Sequence, residues 1–177
     1  VSVMSRQTAA IAATRFGLGA RPGDIETIAG DPEAWLTAQI APGAAPTPRD
    51  VPSARESLVF LQTEYPGLRR ELERDGADPE DIQRRVRSFV REPRLAHIAW
   101  RTGAAVTTSS SFAERWVRFW SNHFSVSSNS LQTALIAPTL EAEVIRPMAF
   151  GRFEDLMPAA TLHPAMLFYL DQAVSVG

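Results

Sequence analysis

Apolar residues recur three and four positions apart through most of the chain, and no stretch alternates apolar with polar over the length of a strand. Ser5 to Thr14 is rich in alanine with Gly17 and Gly19 just beyond, which predicts a helix ended by a glycine cap. Asp31-Pro32-Glu33 opens a second helix. Aspartate suits its N-cap, proline its first position, and Trp35, Leu36 and Ile40 form its packed face. Residues 42–52 hold Pro42, Pro46, Pro48 and Pro52 with Gly43, a density no helix or central strand tolerates, so they read as a linker loop. Beyond it Leu58, Leu61 and Tyr65 keep helical spacing, Pro66-Gly67 predicts a break, Leu68 and Leu72 follow, and Asp78-Pro79 starts another helix.

Ser111 with Glu114 has the spacing of a capping box, and Phe112, Trp116, Phe119, Trp120 and His123 then fall on one helical stripe. Glu114, Arg115 and Arg118 are expected on the opposite, solvated side. A polar run from Ser125 to Ser130 ends this helix. Leu135, Leu140, Val144 and Ile145 carry the next one towards Pro147, which is expected to break or kink it, and Gly151 separates it from Phe153 to Met157. Pro164 opens a last helix through Met166, Leu167 and Leu170. The expected fold is all-α, a multi-helix orthogonal bundle with a core built on Trp35, Phe112, Trp116, Phe119, Trp120 and Leu167. No internal repeat is evident.

Composition narrows the chemistry. The 177 residues are 45% hydrophobic, enough to fill a core, and 18 basic against 20 acidic residues leave none of the positive footprint of a nucleic-acid binder. Arg69 to Arg94 is rich in arginine, but its eight Arg face seven acids, which reads as a solvated helical face. Cysteine is absent, so disulfides, thiolate zinc sites and a catalytic thiol are excluded. Every basic residue is Arg, which rules out a Schiff-base lysine, a P-loop lysine and a Ser-Lys dyad within these residues. No run approaches the roughly 18 to 20 apolar residues of a membrane span, and Ala9 to Ala13 is shorter than a signal-peptide core of roughly 7 to 15. Neither observation assigns a compartment.

Gly17-Leu18-Gly19 with Gly23 follows a helix rather than a strand, so it reads as a cap and not as a dinucleotide fingerprint. No Gly-x-Ser-x-Gly elbow, His-Glu-x-x-His or calcium loop is present. What remains is His123 beside Asn122, His163 before Pro164, and Asp171, placed where it can share a helix face with His163. Converging in a cleft, these groups suit acid/base work, or with His123 and His163 a metal; the alternative is a satisfied core histidine with Asn122 capping a helix end. His97 reads as structural. Arg146, beside apolar Val144, Ile145 and Met148, reads as a buried anchor for a carboxylate such as Asp171 or Asp155, or else as a surface charge whose stem covers apolar area.

Four segments together carry a resemblance: Arg15-Phe16-Gly17-Leu18-Gly19, Phe119-Trp120-Ser121-Asn122-His123-Phe124-Ser125-Val126, Val144-Ile145-Arg146-Pro147, and Pro164-Ala165-Met166-Leu167-Phe168-Tyr169-Leu170-Asp171. In this order they resemble the bacterial family catalogued as domain of unknown function 1800, from about Ala9 onwards. The resemblance carries no reaction and no cofactor. It implies a larger protein of which residues 1–177 are a partial N-terminal domain, completed by a C-terminal half with an Asn-Glu-Asn-x-Ala-Arg-Glu-Leu-x-Glu-Leu-His-Thr-Leu-Gly block absent here. A hydrolase-type site would then draw Asn122, His123, Arg146 and Asp171 from this half; the alternative is a non-enzymatic helical scaffold or partner-binding protein. Family members also suggest export and a sulfatase-like partner. Met148 departs from the pattern, standing where the family is expected to have a histidine after Arg-Pro.

Overall fold

The computed structural model describes residues 3–49 and 51–175, and among them the fold is all-α, with no strand. Helix α1 (Val3–Arg15) packs on α2 (Asp24–Ile28), which the sequence pattern does not announce, and on α3 (Pro32–Thr37). Ala9, Ala12, Ala13, Ile28 and Ala29 fill a small core among these three, with Ile25 and Trp35 against it. Asp31 caps α3 by accepting from the Ala34 N–H at 2.9 Å. Only Gly19, at φ 103°, lets the chain leave α1 as it does, while Gly17 lies so close to Ser111 that a Cβ would stand 2.6 Å from the serine hydroxyl.

The described residues of 42–52 are irregular but are not a free linker: Ala45 is buried, and the Pro46 carbonyl is engaged far away in the chain. A full capping box of Ser53 and Glu56 starts α4 (Ala54–Val59). The break expected at Pro66-Gly67 does not occur. A π-helical turn, Phe60–Glu64, joins α4 to α5 (Tyr65–Arg74), and the Tyr65 N–H donates to the Phe60 carbonyl five residues back. The wider turn accommodates Pro66 at the second position of the new helix, where its missing N–H costs little. Asp78 caps α6 (Pro79–Thr107) through the N–H groups of Glu80 and Asp81.

Helix α7 (Ser111–His123) departs from expectation in three ways. Its cap is not the Ser111–Glu114 box; the Phe112 N–H is met instead by Oε1 of buried Gln39, at 2.9 Å. Its buried face is Ala113, Glu114 and Val117, so Glu114 is turned inward rather than solvated. The aromatic stripe lies roughly a third of a turn round the helix from that face. Trp116 and Trp120 are therefore half-buried and Phe119 is 52% exposed; they flank the core rather than build it. Trp35, Phe112 and Leu167 are likewise only partly buried.

The main core is aliphatic: Val90, Ala113, Val117, Leu135, Ile136, Leu140, Ile145, Leu156, Ala160 and Ala165. Its centre is α8 (Leu131–Leu140), which packs on α4, α6 and α11. Ser130 and Thr133 cap it reciprocally. A second π turn, Glu141–Ile145, carries the chain into α9 (Arg146–Met148), so Pro147 follows a π turn just as Pro66 does and does not end the helix. Helices α10 (Phe153–Thr161) and α11 (Pro164–Tyr169) complete the bundle.

Candidate functional site

Arg146 lies at the bottom of the structure's main polar cluster and is 1% exposed. It is the buried carboxylate anchor foreseen from its neighbours, but its partners are neither Asp171 nor Asp155. Nη1 and Nη2 donate to the two carboxylate oxygens of fully buried Glu114 at 2.7 and 2.8 Å, a bidentate fork. Nε and Nη2 donate to Glu141 Oε1 at 3.1 and 2.7 Å, and Nη1 also reaches the Pro46 carbonyl at 3.1 Å. The guanidinium carbon stands 4.4 Å from the ring centre of Trp100. Arg101 pairs with Glu141 Oε2 at 2.8 Å, and Arg118 lies 3.6 Å from Glu114.

The π turn makes this cluster possible. Residues five apart on an α-helix point roughly 140° away from each other. Closing the turn on five-residue hydrogen bonds, with the Arg146 N–H on the Glu141 carbonyl, brings these two side chains to the same side. Burial alone would lower the pKa of the Arg146 guanidinium; the hydrogen bonds and charges of Glu114 and Glu141 outweigh it and raise that pKa above the ordinary value.

The other sequence-predicted residues lie elsewhere. His123 ends the aromatic row of α7 and is exposed, its ring centre 4.8 Å from that of Phe124 and 5.7 Å from that of Trp120, edge to face in both cases. Phe119 stacks on Trp116 at 5.0 Å, and Phe153 of α10 stacks on Trp120 at 5.7 Å. Trp116 is anchored by its Nε1, which donates to the Ala149 carbonyl at 2.7 Å. Between α7 and α10 a groove of about 310 Å³ is lined by Ile40, Phe112, Trp116, Trp120, Phe150 and Phe153. Asn122 does not face this groove; it lines a separate cleft against α6.

Asp171 does not share a helix face with His163, because α11 ends at Tyr169 and Asp171 is exposed in a left-handed conformation at φ 56°. His163 is buried and committed at both ring nitrogens. Nδ1 caps α11 by accepting from the Ala165 N–H at 3.1 Å, and Nε2 lies 3.3 Å from Glu143 Oε2. Burial, the largest influence, lowers its pKa despite the Glu143 carboxylate. His97 is buried too, its Nε2 3.3 Å from the Pro52 carbonyl, and burial again lowers its pKa. Among the described residues no cluster of three or more His, Asp or Glu side chains is arranged to hold a metal ion.

The match to known proteins covers nearly the whole of this architecture. The family model described as "Protein of unknown function (DUF1800)" matches residues 11–177. The chain belongs to this family. No curated protein and no solved structure matches it. Among the described residues no helix of the DUF1800 chain is long and apolar enough to cross a membrane.

Of the four residues proposed from sequence for a DUF1800 site, no two are joined by a hydrogen bond or ion pair among the described residues. The residues that sequence reasoning missed are Glu114, Glu141, Gln39 and Glu143. Glu114 is disguised by its capping-box spacing from Ser111. Glu141 sits five residues before Arg146, off its face in any α-helical reading, so only the π turn reveals the pair. Glu143 accepts from the Ala54 N–H at 2.6 Å and meets His163, both contacts across the fold.

Proposed function

We propose that these residues of the DUF1800 protein form a helical scaffold whose aromatic row binds another protein segment, the C-terminal half that the family resemblance implies. The observation that carries this reading is the apolar groove between α7 and α10, beside which Phe119 and Phe153 are each 52% exposed and Ile40 is 53% exposed. Aromatic side chains offer large contact area at low entropic cost, and contiguous exposed apolar surface marks interaction sites. The row is already held in place by the Trp116 hydrogen bond and by ring stacking, so little ordering is needed on binding. Arg146, consumed by two carboxylates, acts in this reading as an anchor of the scaffold. The hydrolytic alternative would need Asn122, His123 and Asp171 gathered by groups outside these residues.

The test uses the protein expressed from its natural reading frame. Removing a phenylalanine that is covered in the complete protein costs about 3–5 kcal/mol. Phe119→Ser is therefore expected to lower the melting temperature by several degrees, while Val106→Ser, at the exposed end of α6, leaves it unchanged. A Phe119→Ser protein as stable as its parent, or a frame encoding no further segment, overturns the proposal.

A further inference from the structure

A cleft of about 390 Å³ lies between α6, the end of α7 and the π turn after α8, on a part of the surface distinct from the aromatic groove. Arg94, His97 and Arg101 line it from α6, three and four residues apart and so on one helical face. Glu141 is the one carboxylate among the described residues lining the cleft, and it is already matched by Arg146 and Arg101. Arg94 has no ion-pair partner among the described residues, which leaves an uncompensated positive charge at the rim. Ser121 and Asn122 line the opposite wall; the Ser121 hydroxyl is buried without a hydrogen-bond partner and the Asn122 amide has none either. A buried hydroxyl left unpaired is costly and is most simply satisfied by a group that enters the cleft. Trp100, Val126 and Leu140 supply apolar walls beside these polar groups. A few convergent polar groups in an otherwise apolar hollow of this size are the features of a small-molecule site.

We infer that this cleft binds a small molecule combining an oxyanion with an apolar body, the oxyanion against Arg94 and the Ser121–Asn122 wall and the body against Trp100, Val126 and Leu140. The inference is independent of the aromatic row. A carboxylate and a phosphate monoester both meet the description, and the two are separated by experiment.

The natural-length protein is titrated with benzoate, phenyl phosphate and benzyl alcohol, following saturable binding by calorimetry. Saturable binding of benzoate, phenyl phosphate or both is expected, the arm that binds naming the headgroup, with none for benzyl alcohol. Arg94→Gln removes a side chain that no protein group holds and is expected to weaken binding at least fivefold, whereas Arg85→Gln, exposed on the same helix away from the cleft, leaves it unchanged. Absence of saturable binding by either anion, equal binding of benzyl alcohol, or equal affinity in Arg94→Gln overturns the inference.

Discussion

Arg146 shows how one side chain can tie together segments that are far apart in sequence. Its guanidinium holds Glu114 from α7, Glu141 from the π turn and the Pro46 carbonyl from the irregular stretch. Arg146→Met would leave the Glu114 carboxylate buried opposite no cation other than Arg118 at 3.6 Å. Breaking such a buried pair from one side costs about 3–5 kcal/mol. The expected drop in melting temperature is roughly 6–20 °C for a chain of this size, read by calorimetry or circular dichroism. His163 makes the stability depend on pH. Its pKa, and that of His97, is lower in the folded protein than in the unfolded chain, chiefly through burial. Below the ordinary histidine value the unfolded chain therefore binds more protons, and stability falls as pH drops from about 7 towards 5. Protonation of His163 Nδ1 would also remove the cap on α11. His163→Asn keeps a capping acceptor without a titrating group, so its melting temperature is expected to depend less steeply on pH over that range than the parent's.

At the scale of elements, helix starts were the most legible part of the sequence. Asp31, Asp78 and Pro164 mark starts where the structure has them, because a capping side chain or a first-turn proline acts within three residues of itself. Interruptions were less legible. Pro66 and Pro147 read as breaks, yet each follows a π turn that absorbs the ring, an arrangement that depends on the hydrogen-bond pattern rather than on residue type. The cap of α7 was hidden for a different reason: its acceptor comes from Gln39, 73 residues earlier. Gln39→Leu should keep much of the apolar contact and remove the acceptor from the Phe112 N–H. A lost cap costs about 1 kcal/mol, so a fall in melting temperature of roughly 2–4 °C is expected. An unchanged melting temperature would mean that solvent replaces the glutamine at no cost.

For the molecule as a whole, the helical class was readable from periodicity, but the position of the core was not. The large aromatic side chains share one stripe of α7, whereas the space between helices is filled by aliphatic Val117, Ile136 and Ile145 with Ala113 and Ala160, the alanines small enough to let the backbones approach. The aromatic row is left at the surface, and that displacement gives the Phe119→Ser comparison its meaning. The candidate site was legible only where one residue's neighbours sufficed, as for Arg146; its partners depended on folding. The π turn adds a consequence for descent within the family. It amounts to one residue more than an α-helix of the same span would hold, and its wider hydrogen bonding absorbs that surplus so that Glu141 and Arg146, five apart, point the same way. Loss of a single residue there, Ala142 for example, would let the turn close as an ordinary α-helix, with the glutamate and the arginine four apart and still neighbours on one face. The buried ion cluster can therefore outlast the surplus residue, so relatives without the π turn are expected to carry the glutamate four residues before the arginine instead of five.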